Sequence, residues 1–346
     1  MKYLAVLGRQ PEISIAELEL SDFCTDINRL GGTQKLAVRL EEKPLEYLSK
    51  LSEGKITIGV SDYSRRASKK TATMEALKLK KILVRHGRSV RVVENKDAVL
   101  STATSLHNGL SGKNERKVEL IKVEDEWYRV IGVQDIEAYA KRDQARPARD
   151  AKVGMLPPKL AQVLINLCGP LKPGSTVLDP FCGTGVVLQE ALLMGYKAYG
   201  TDISERMIEY SDKNLKFFKF NDYIVEVGDA TNYKWSKKID AVACEGYLGK
   251  PFSRIPNEME LKEQKQECGS IVLGFLKNLA EQIKKDTPVV IAVPAWLRSG
   301  DSYERLDILD EIEKLGYNVN NKSHEGLLYH RPEQVVARDI IILRKK

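Results

Sequence analysis

Val177-Leu178-Asp179-Pro180-Phe181-Cys182-Gly183-Thr184-Gly185 runs from an apolar strand end, through an acid and a proline-led turn, into two glycines. This order supports a buried strand followed by a helix entered through glycine. Glycine at such a turn lets a ligand approach the backbone without meeting a Cβ. Working outward, a strand over 176–179 and a helix from Gly185 precede a strand at 198–202 and a helix from Ser204. Strand-like runs at 224–227 and 239–244, a helical pattern over 257–285, a strand at 289–293 and a helix over 303–315 continue the alternation. The closing runs, 317–320 and 336–343, lie too close together for a helical crossover, so the last strand is expected to be antiparallel. The whole predicts an α/β domain, a mostly parallel sheet with helices on both faces.

Acids stand at the strand ends. Asp179 closes the first strand, where a cationic amino group can be held. Asp202 closes the second, where a carboxylate accepts two ribose hydroxyls. Gly228-Asp229-Ala230 closes the third, placing Asp229 near an exocyclic amine of adenine. A dinucleotide oxidoreductase competes for this pattern, but Leu188 stands where the third glycine of G-x-G-x-x-G belongs. An acid just ahead of the glycines also opposes a pyrophosphate by like charge. S-adenosyl-L-methionine carries an ammonium and a sulfonium and no phosphate, so it is the expected cofactor. Cys182 invites a nucleophile reading, yet no histidine lies near it in sequence, and it fits better as a small residue of the turn.

The chain has 346 residues, 42% hydrophobic and 30% charged, enough for two or three packed units and far from collagen, coiled coil or disorder. No apolar run approaches membrane-span length, and Met1–Leu7 is too short for a signal core before Arg9, so a cytoplasmic protein with no membrane partner is expected. Five scattered cysteines and four histidines form no zinc or H-E-x-x-H pattern, and no metal is expected.

Positive charge is uneven. Residues 1–150 hold 28 Lys+Arg against 22 Asp+Glu, whereas 151–346 hold 27 against 26. Within 61–91 the balance is ten basic to two acidic. A solvated helix face explains a charge run by itself. An uncompensated excess in the half without the chemistry instead points to a polyanion, with nucleic acid leading. The candidate contacts are Arg65, Arg66, Lys69, Lys70, Lys81, Arg85 and Arg88. Secondary structure in this half is mixed: strands at 3–7, 35–40, 56–60, 90–93, 118–123 and 128–133, and helices from Ile13, at 44–52, 71–85 and 100–110. In the third helix Met74, Leu77, Ile82 and Leu83 form the expected apolar stripe.

The D-P-F-C-G-T-G turn, followed by Asp202 and Gly228-Asp229, resembles that of Rossmann-type, class I S-adenosylmethionine-dependent methyltransferases. The segments 3–8, 77–92, 134–149 and 154–162 are similar to THUMP-containing tRNA guanine N2-methyltransferases, above all the archaeal and eukaryotic group acting on guanine 10. The resemblance implies an N-terminal ferredoxin-like piece (1–52), a THUMP-like RNA-binding module (53–140), a linker (141–158) and a seven-stranded Rossmann-like methyltransferase domain (159–346). It implies tRNA as partner and a donor pocket of Asp179, Phe181, Cys182, Gly183, Thr184, Gly185, Asp202, Ile203, Asp229, Ala230 and Glu245. In that family the fourth strand ends in a D/N-P-P-Y/F loop, whose acceptor groups hold the amine of a guanine while the aromatic covers the base. Here Glu245 falls on the acid or amide position, Gly246 and Tyr247 on the prolines and Leu248 on the aromatic. Glu245, Tyr247 and Leu248 are therefore the expected catalytic residues, with Gly246 expected to loosen the loop. Trp296 could stack a base or simply pack. Arg149 and Lys159 could meet RNA phosphate or the methionine carboxylate, and His324 and His330 read as loop or edge residues. Two rivals stay open: a DNA adenine N6-methyltransferase, and a non-catalytic tRNA-binding protein that retains the donor pocket.

Overall fold

Alternating apolar runs leave one face of each strand in need of cover, and here two sheets satisfy that need separately. The structure is a computed structural model describing residues 1–150, 155–298, 302–320, 327–332 and 334–346. Two units result, one of 1–9, 24–28 and 33–139, the other of 10–23, 29–32 and 140–346. Among the described residues no helix is long and apolar enough to cross a membrane.

The smaller unit contains β1 (Tyr3–Leu7), β2 (Thr33–Arg39), β3 (Ile56–Asp62), β4 (Val90–Val92), β5 (Lys117–Val123) and β6 (Glu126–Val133) in one sheet, ordered β1-β2-β6-β5-β3-β4. The expected pieces 1–52 and 53–140 thus share a single sheet, because β2 pairs antiparallel with β6 through the register Lys35↔Val133 to Arg39↔Tyr128. Helix α1 (Pro11–Leu20) belongs to the larger unit; α2 (Pro44–Ser49), α3 (Lys69–Arg85) and α4 (Thr102–His107) belong to the smaller one. Helix α3 starts in a reciprocal capping box between Ser68 and Thr71. Its buried face is Ala72, Ala76, Leu79 and Leu83, so the expected stripe is corrected: Met74 and Leu77 point outward. Small alanines let the helix lie close on Ile56, Ile58 and Val60. Beneath the sheet Lys35 donates to Glu119 at 2.6 Å and to the Leu100 carbonyl at 2.7 Å, while Ser61 and Ser105 also donate to Glu119. A buried pair satisfied on every side is tolerated where a lone charge is not.

The larger unit contains α5 (Ile136–Gln144, entered from the smaller unit), α6 (Pro158–Leu167), β7 (Thr176–Asp179), α7 (Val186–Leu193), β8 (Lys197–Asp202), α8 (Glu205–Phe217), β9 (Tyr223–Val227), β10 (Ala241–Glu245), α9 (Glu258–Ala280), β11 (Pro288–Leu297), β12 (Tyr303–Arg305), α10 (Leu309–Lys314), β13 (Tyr317–Val319), β14 (Leu328–Tyr329) and β15 (Val336–Lys345). Seven strands run β13-β15-β11-β10-β7-β8-β9, with β12 added on β11 and β14 on β15. Strands β11, β10, β7, β8 and β9 are parallel and β15 is antiparallel, as its short connection required. The result is a mixed-sheet α/β fold. Period-two alternation assigns the faces. Leu178, Val242 and Ile291 meet Val272, Phe275, Leu276 and Leu279 of α9, whereas Val177, Ala243, Val290 and Ala292 meet Ile13, Leu160, Leu164 and Val187. Complete burial of a side chain such as Phe275 contributes about 1.5–3 kcal/mol.

Two further expectations change. The helix over 303–315 begins as β12, because Tyr303, Glu304 and Arg305 pair with Leu297, Trp296 and Ala295 before α10 starts. The segment 141–158 is no free linker. Arg142 donates to buried Glu190 at 2.8 Å, Asn214 bonds both backbone groups of Ala148 at 3.0 Å, and Arg206 donates to Asp150 at 2.7 Å. Gly154 of the quoted 154–162 segment lies outside the described residues.

Residues 10–23 and 29–32 join the larger unit through Glu17. Fully buried in α1, it accepts the N–H groups of Gly31 and Gly32 and the Asn166 amide, each at 2.8 Å. Glu17→Ala removes the acceptor shared by all three donors and is expected to destabilise the protein by about 2–4 kcal/mol in denaturant unfolding, with Glu17→Gln milder. A loss under ~0.5 kcal/mol would contradict this anchoring role.

Candidate functional site

A parallel sheet whose strand order reverses leaves a crevice at the carboxyl ends of its central strands. Here the reversal falls between β7 and β10, since the chain proceeds from β7 outward to β8 and β9 and then returns to β10 on the other side. Asp179 ends β7, Asp202 ends β8, Asp229 follows β9 and Glu245 ends β10. Four carboxylates therefore share one edge, on neighbouring strands.

Asp179 is buried and accepts the N–H of Phe181 at 3.1 Å. Burial pushes its carboxyl well above the ordinary range against that hydrogen bond, and the charges of Asp202 and Glu245 push the same way. Asp202 accepts the N–H of Gly183 at 2.9 Å with one oxygen and that of Ser204 at 2.9 Å with the other. The acid thereby fixes the glycine turn, and each oxygen keeps a second lone pair for a ligand. Asp229 accepts the N–H and hydroxyl of Thr231 at 2.9 and 2.7 Å, beside buried Ala230.

The two glycines of the turn have different duties. Both have positive φ, +50° at Gly183 and +84° at Gly185. A Cβ on Gly185 would sit 2.9 Å from Ser211 Oγ, so that glycine is needed for helix packing. At Gly183 the nearest atom to such a Cβ is 3.9 Å away, leaving the backbone open to a ligand. Ile203, next to Asp202, is 72% exposed, an apolar surface able to cover a flat ring. Phe181 packs edge-on against Phe275 at 5.3 Å, and Thr184 is buried. Cys182 is buried against Ser211 Oγ at 3.7 Å, and burial with Asp179 and Asp202 nearby pushes its thiol far up, which leaves it unreactive.

The loop after β10 is stapled rather than loose. Gly246 donates its N–H to the Ala292 carbonyl at 2.9 Å, a bond that proline at this position could not make. Tyr247 donates to Glu267 of α9 at 3.2 Å, and Gln264 of the same helix accepts the Lys250 N–H at 2.7 Å. Leu248 is half-buried between these anchors. The Glu245 side chain is paired with buried Arg338 of β15, whose guanidinium lies 5.9 Å from the Tyr329 ring. Burial raises the Glu245 carboxyl, and the Arg338 charge and hydrogen bond oppose that rise. Arg338 eluded the sequence reading, although a charged Arg338-Asp339 pair inside the apolar run 336–343 was a signal. Arg146, buried against Thr184, eluded it too. Trp296 is wholly buried in the core and presents no ring to a base. Arg149 is exposed, Lys159 lies half-buried in the first turn of α6, and His330 sits beside Tyr303. His324 lies outside the described residues. No cluster of metal-ligating side chains occurs among the described residues.

In the smaller unit Arg65, Arg66, Lys70, Lys81 and Arg85 are exposed. Lys69 has only a loose partner in Glu94 at 3.9 Å. Arg88 departs from the set: its guanidinium donates to the carbonyls of Leu51 and Ser52 at 3.1 and 2.7 Å, a structural duty. The first turn of α3 has no acid, so Lys69 and Lys70 stand unfavourably at the positive helix end.

Residues 171–301 match the model of a methyltransferase domain family, and residues 67–213 match that of a DNA methylase family. The tRNA (guanine(10)-N2)-dimethyltransferase of Methanothermobacter thermautotrophicus is 41% identical over 187 residues, 54% of this chain and 51% of that protein. A protein of the same name from Methanocaldococcus jannaschii is 28% identical over 303 residues, 84% of this chain and 79% of its own length. A probable tRNA (guanine(10)-N2)-dimethyltransferase of Methanothermococcus thermolithotrophicus is 33% identical over 139 residues, 39% of this chain and 78% of that one. The chain spans about half the length of the curated relatives it matches above 40% identity.

Cys168, Cys182, Cys244 and Cys268 are buried and Cys24 is partly exposed. A native titration with a disulfide reagent is therefore expected to show one fast thiol, the other four reacting only on unfolding. Fast modification of Cys182 would restore the nucleophile reading.

Proposed function

This chain belongs to the tRNA (guanine(10)-N2)-dimethyltransferase family, and we propose that it transfers methyl groups from S-adenosyl-L-methionine to the exocyclic N2 amine of a guanine in tRNA. The observation that carries this reading is Glu245, a carboxylate paired with Arg338 at the edge that Asp179 and Asp202 occupy. The residues fit the donor: an open backbone at Gly183, an exposed apolar Ile203 beside a ribose-competent acid, and a concentration of negative charge that attracts a sulfonium. Asp179, Asp202, Ile203, Asp229 and Ala230, with the turn from Phe181 to Gly185, would hold it. When bound, the donor supplies an electrophilic methyl group.

An exocyclic guanine amine is a poor nucleophile because its lone pair is drawn into the ring. Glu245 accepts an N–H from that amine and turns the lone pair out of the ring plane, toward the edge. Arg338 favours the ionised form of Glu245 against the effect of burial and fixes the side chain, and the Gly246 and Tyr247 bonds hold the loop still, so positioning provides most of the rate. Leu248 covers one face of the base. No strong base is needed before transfer, because the nitrogen sheds its proton once methylated.

The smaller unit supplies RNA docking in this reading. Its single sheet would comprise both the ferredoxin-like and the THUMP-like pieces of the family, and the protein works in the cytoplasm. A second reading, DNA adenine N6-methylation, is favoured by the DNA methylase match. That match ends at residue 213, before the acceptor loop, and so speaks to the donor side alone.

Mass spectrometry of nucleosides from tRNA incubated with protein and donor is expected to show N2-methylated guanosine, reduced about a hundredfold or more by Glu245→Ala. Methylated adenine in duplex DNA alone would favour the second reading, and tRNA binding without transfer would leave a binding protein only. Arg338→Gln removes the group that lowers the Glu245 carboxyl, so the ionised acceptor is lost at higher pH. The acid limb of the pH–rate profile is expected to move upward, and an unmoved limb would separate Arg338 from the chemistry. Reversing charge at Arg65, Arg66 and Lys70 is expected to weaken tRNA binding and flatten its salt slope by about 0.7–0.9 for each phosphate no longer neutralised. An unaltered slope would return the cluster to a solvated face.

A further inference from the structure

Two arginines are buried among the described residues, and they differ in one respect. Arg338 has the carboxylate of Glu245. Arg146, with its side chain 1% exposed, is bonded to no buried carboxylate; its ion-pair partner is Asp143, 3.7 Å away and 43% exposed. Nη1 of Arg146 donates to Thr184 Oγ1 at 3.1 Å, between the two glycines of the turn, and Nη2 reaches Met155 Sδ at 3.6 Å. Nε is buried without any partner. A guanidinium is always charged and offers five donors in a planar fork suited to a carboxylate. Leaving one donor orphaned and the charge weakly compensated inside a protein is costly unless a ligand completes the set.

The donor proposed above has an amino-acid end carrying both an ammonium and a carboxylate. The acid edge of Asp179, Asp202 and Glu245 suits the ammonium and repels the carboxylate. The carboxylate therefore needs a cation close to the turn and away from that edge. Arg142 is committed to Glu190 and Arg338 to Glu245. Arg149 is exposed, whereas the fork of Arg146 lies against the glycine turn itself.

We propose that Arg146 is the residue that binds the carboxylate of the methyl donor, through the guanidinium donors its protein partners leave free, Nε first, while Thr184 holds Nη1. This rests on the donor reading of the preceding subsection, and one set of titrations separates the two. Calorimetry would compare S-adenosyl-L-methionine with its decarboxylated analogue on wild-type protein, Arg146→Gln and Arg146→Lys, with tRNA affinity measured alongside. Wild-type protein is expected to bind the analogue about a hundredfold more weakly. Arg146→Gln is expected to bind both ligands alike, at the weaker level, with unchanged affinity for tRNA. Arg146→Lys keeps the charge and loses the fork, so its preference for the carboxylate is expected to shrink several-fold; it decides the matter should the glutamine variant fail to fold. Undiminished preference in either folded variant would overturn the assignment, as would wild-type indifference to the carboxylate. Failure of wild-type protein to bind either ligand would instead remove the donor reading itself.

Discussion

Carboxylates on neighbouring strand ends repel one another, and the candidate site is organised around that repulsion. Asp179, Asp202 and Glu245 are close enough for the latter two to raise the Asp179 carboxyl further than burial alone. Backbone N–H groups of Phe181, Gly183 and Ser204 answer two of these acids, and Arg338 answers the third. The same bonds set the shape of the turn, so electrostatic compensation and local geometry are one arrangement. A cationic ligand at this edge relieves what the protein leaves uncompensated.

The acceptor loop shows how one rigidity can replace another. Prolines stiffen a loop by removing backbone freedom. In this chain a Gly246 N–H bond to β11 and two side-chain bonds to α9 achieve the restraint through partners. The glycine that looks permissive in sequence is a hydrogen-bond donor in the structure. Charge is divided between the units, with four acids at one sheet edge of the larger and an excess of exposed cations along α3 of the smaller.

Much of the sheet was legible because a parallel strand buried on both faces needs a continuous apolar run, and 241–244 and 289–293 each have one. The glycine turn and its acids were legible because ligand approach constrains residue type. Partners distant in sequence were not. Arg338 lies 93 positions from Glu245 and Arg146 lies 38 from Thr184, and only the folded sheet brings them together. The face of α3 was misread because Ala72 and Ala76 pack better than Met74 and Leu77 against a close sheet, a choice that hydrophobicity alone does not make. Residues on both sides of position 52 share a sheet for a related reason: β1 pairs with β2, and β2 finds its other partner, β6, some ninety residues later.

Direct calorimetric titration of the protein with S-adenosyl-L-methionine and, separately, with NAD tests the acid-lined edge most simply. Saturable binding of the sulfonium compound, with no heat from the dinucleotide at the same concentrations, is the outcome that four converging carboxylates predict. Tight binding of NAD, or its displacement of the methyl donor, would contradict it.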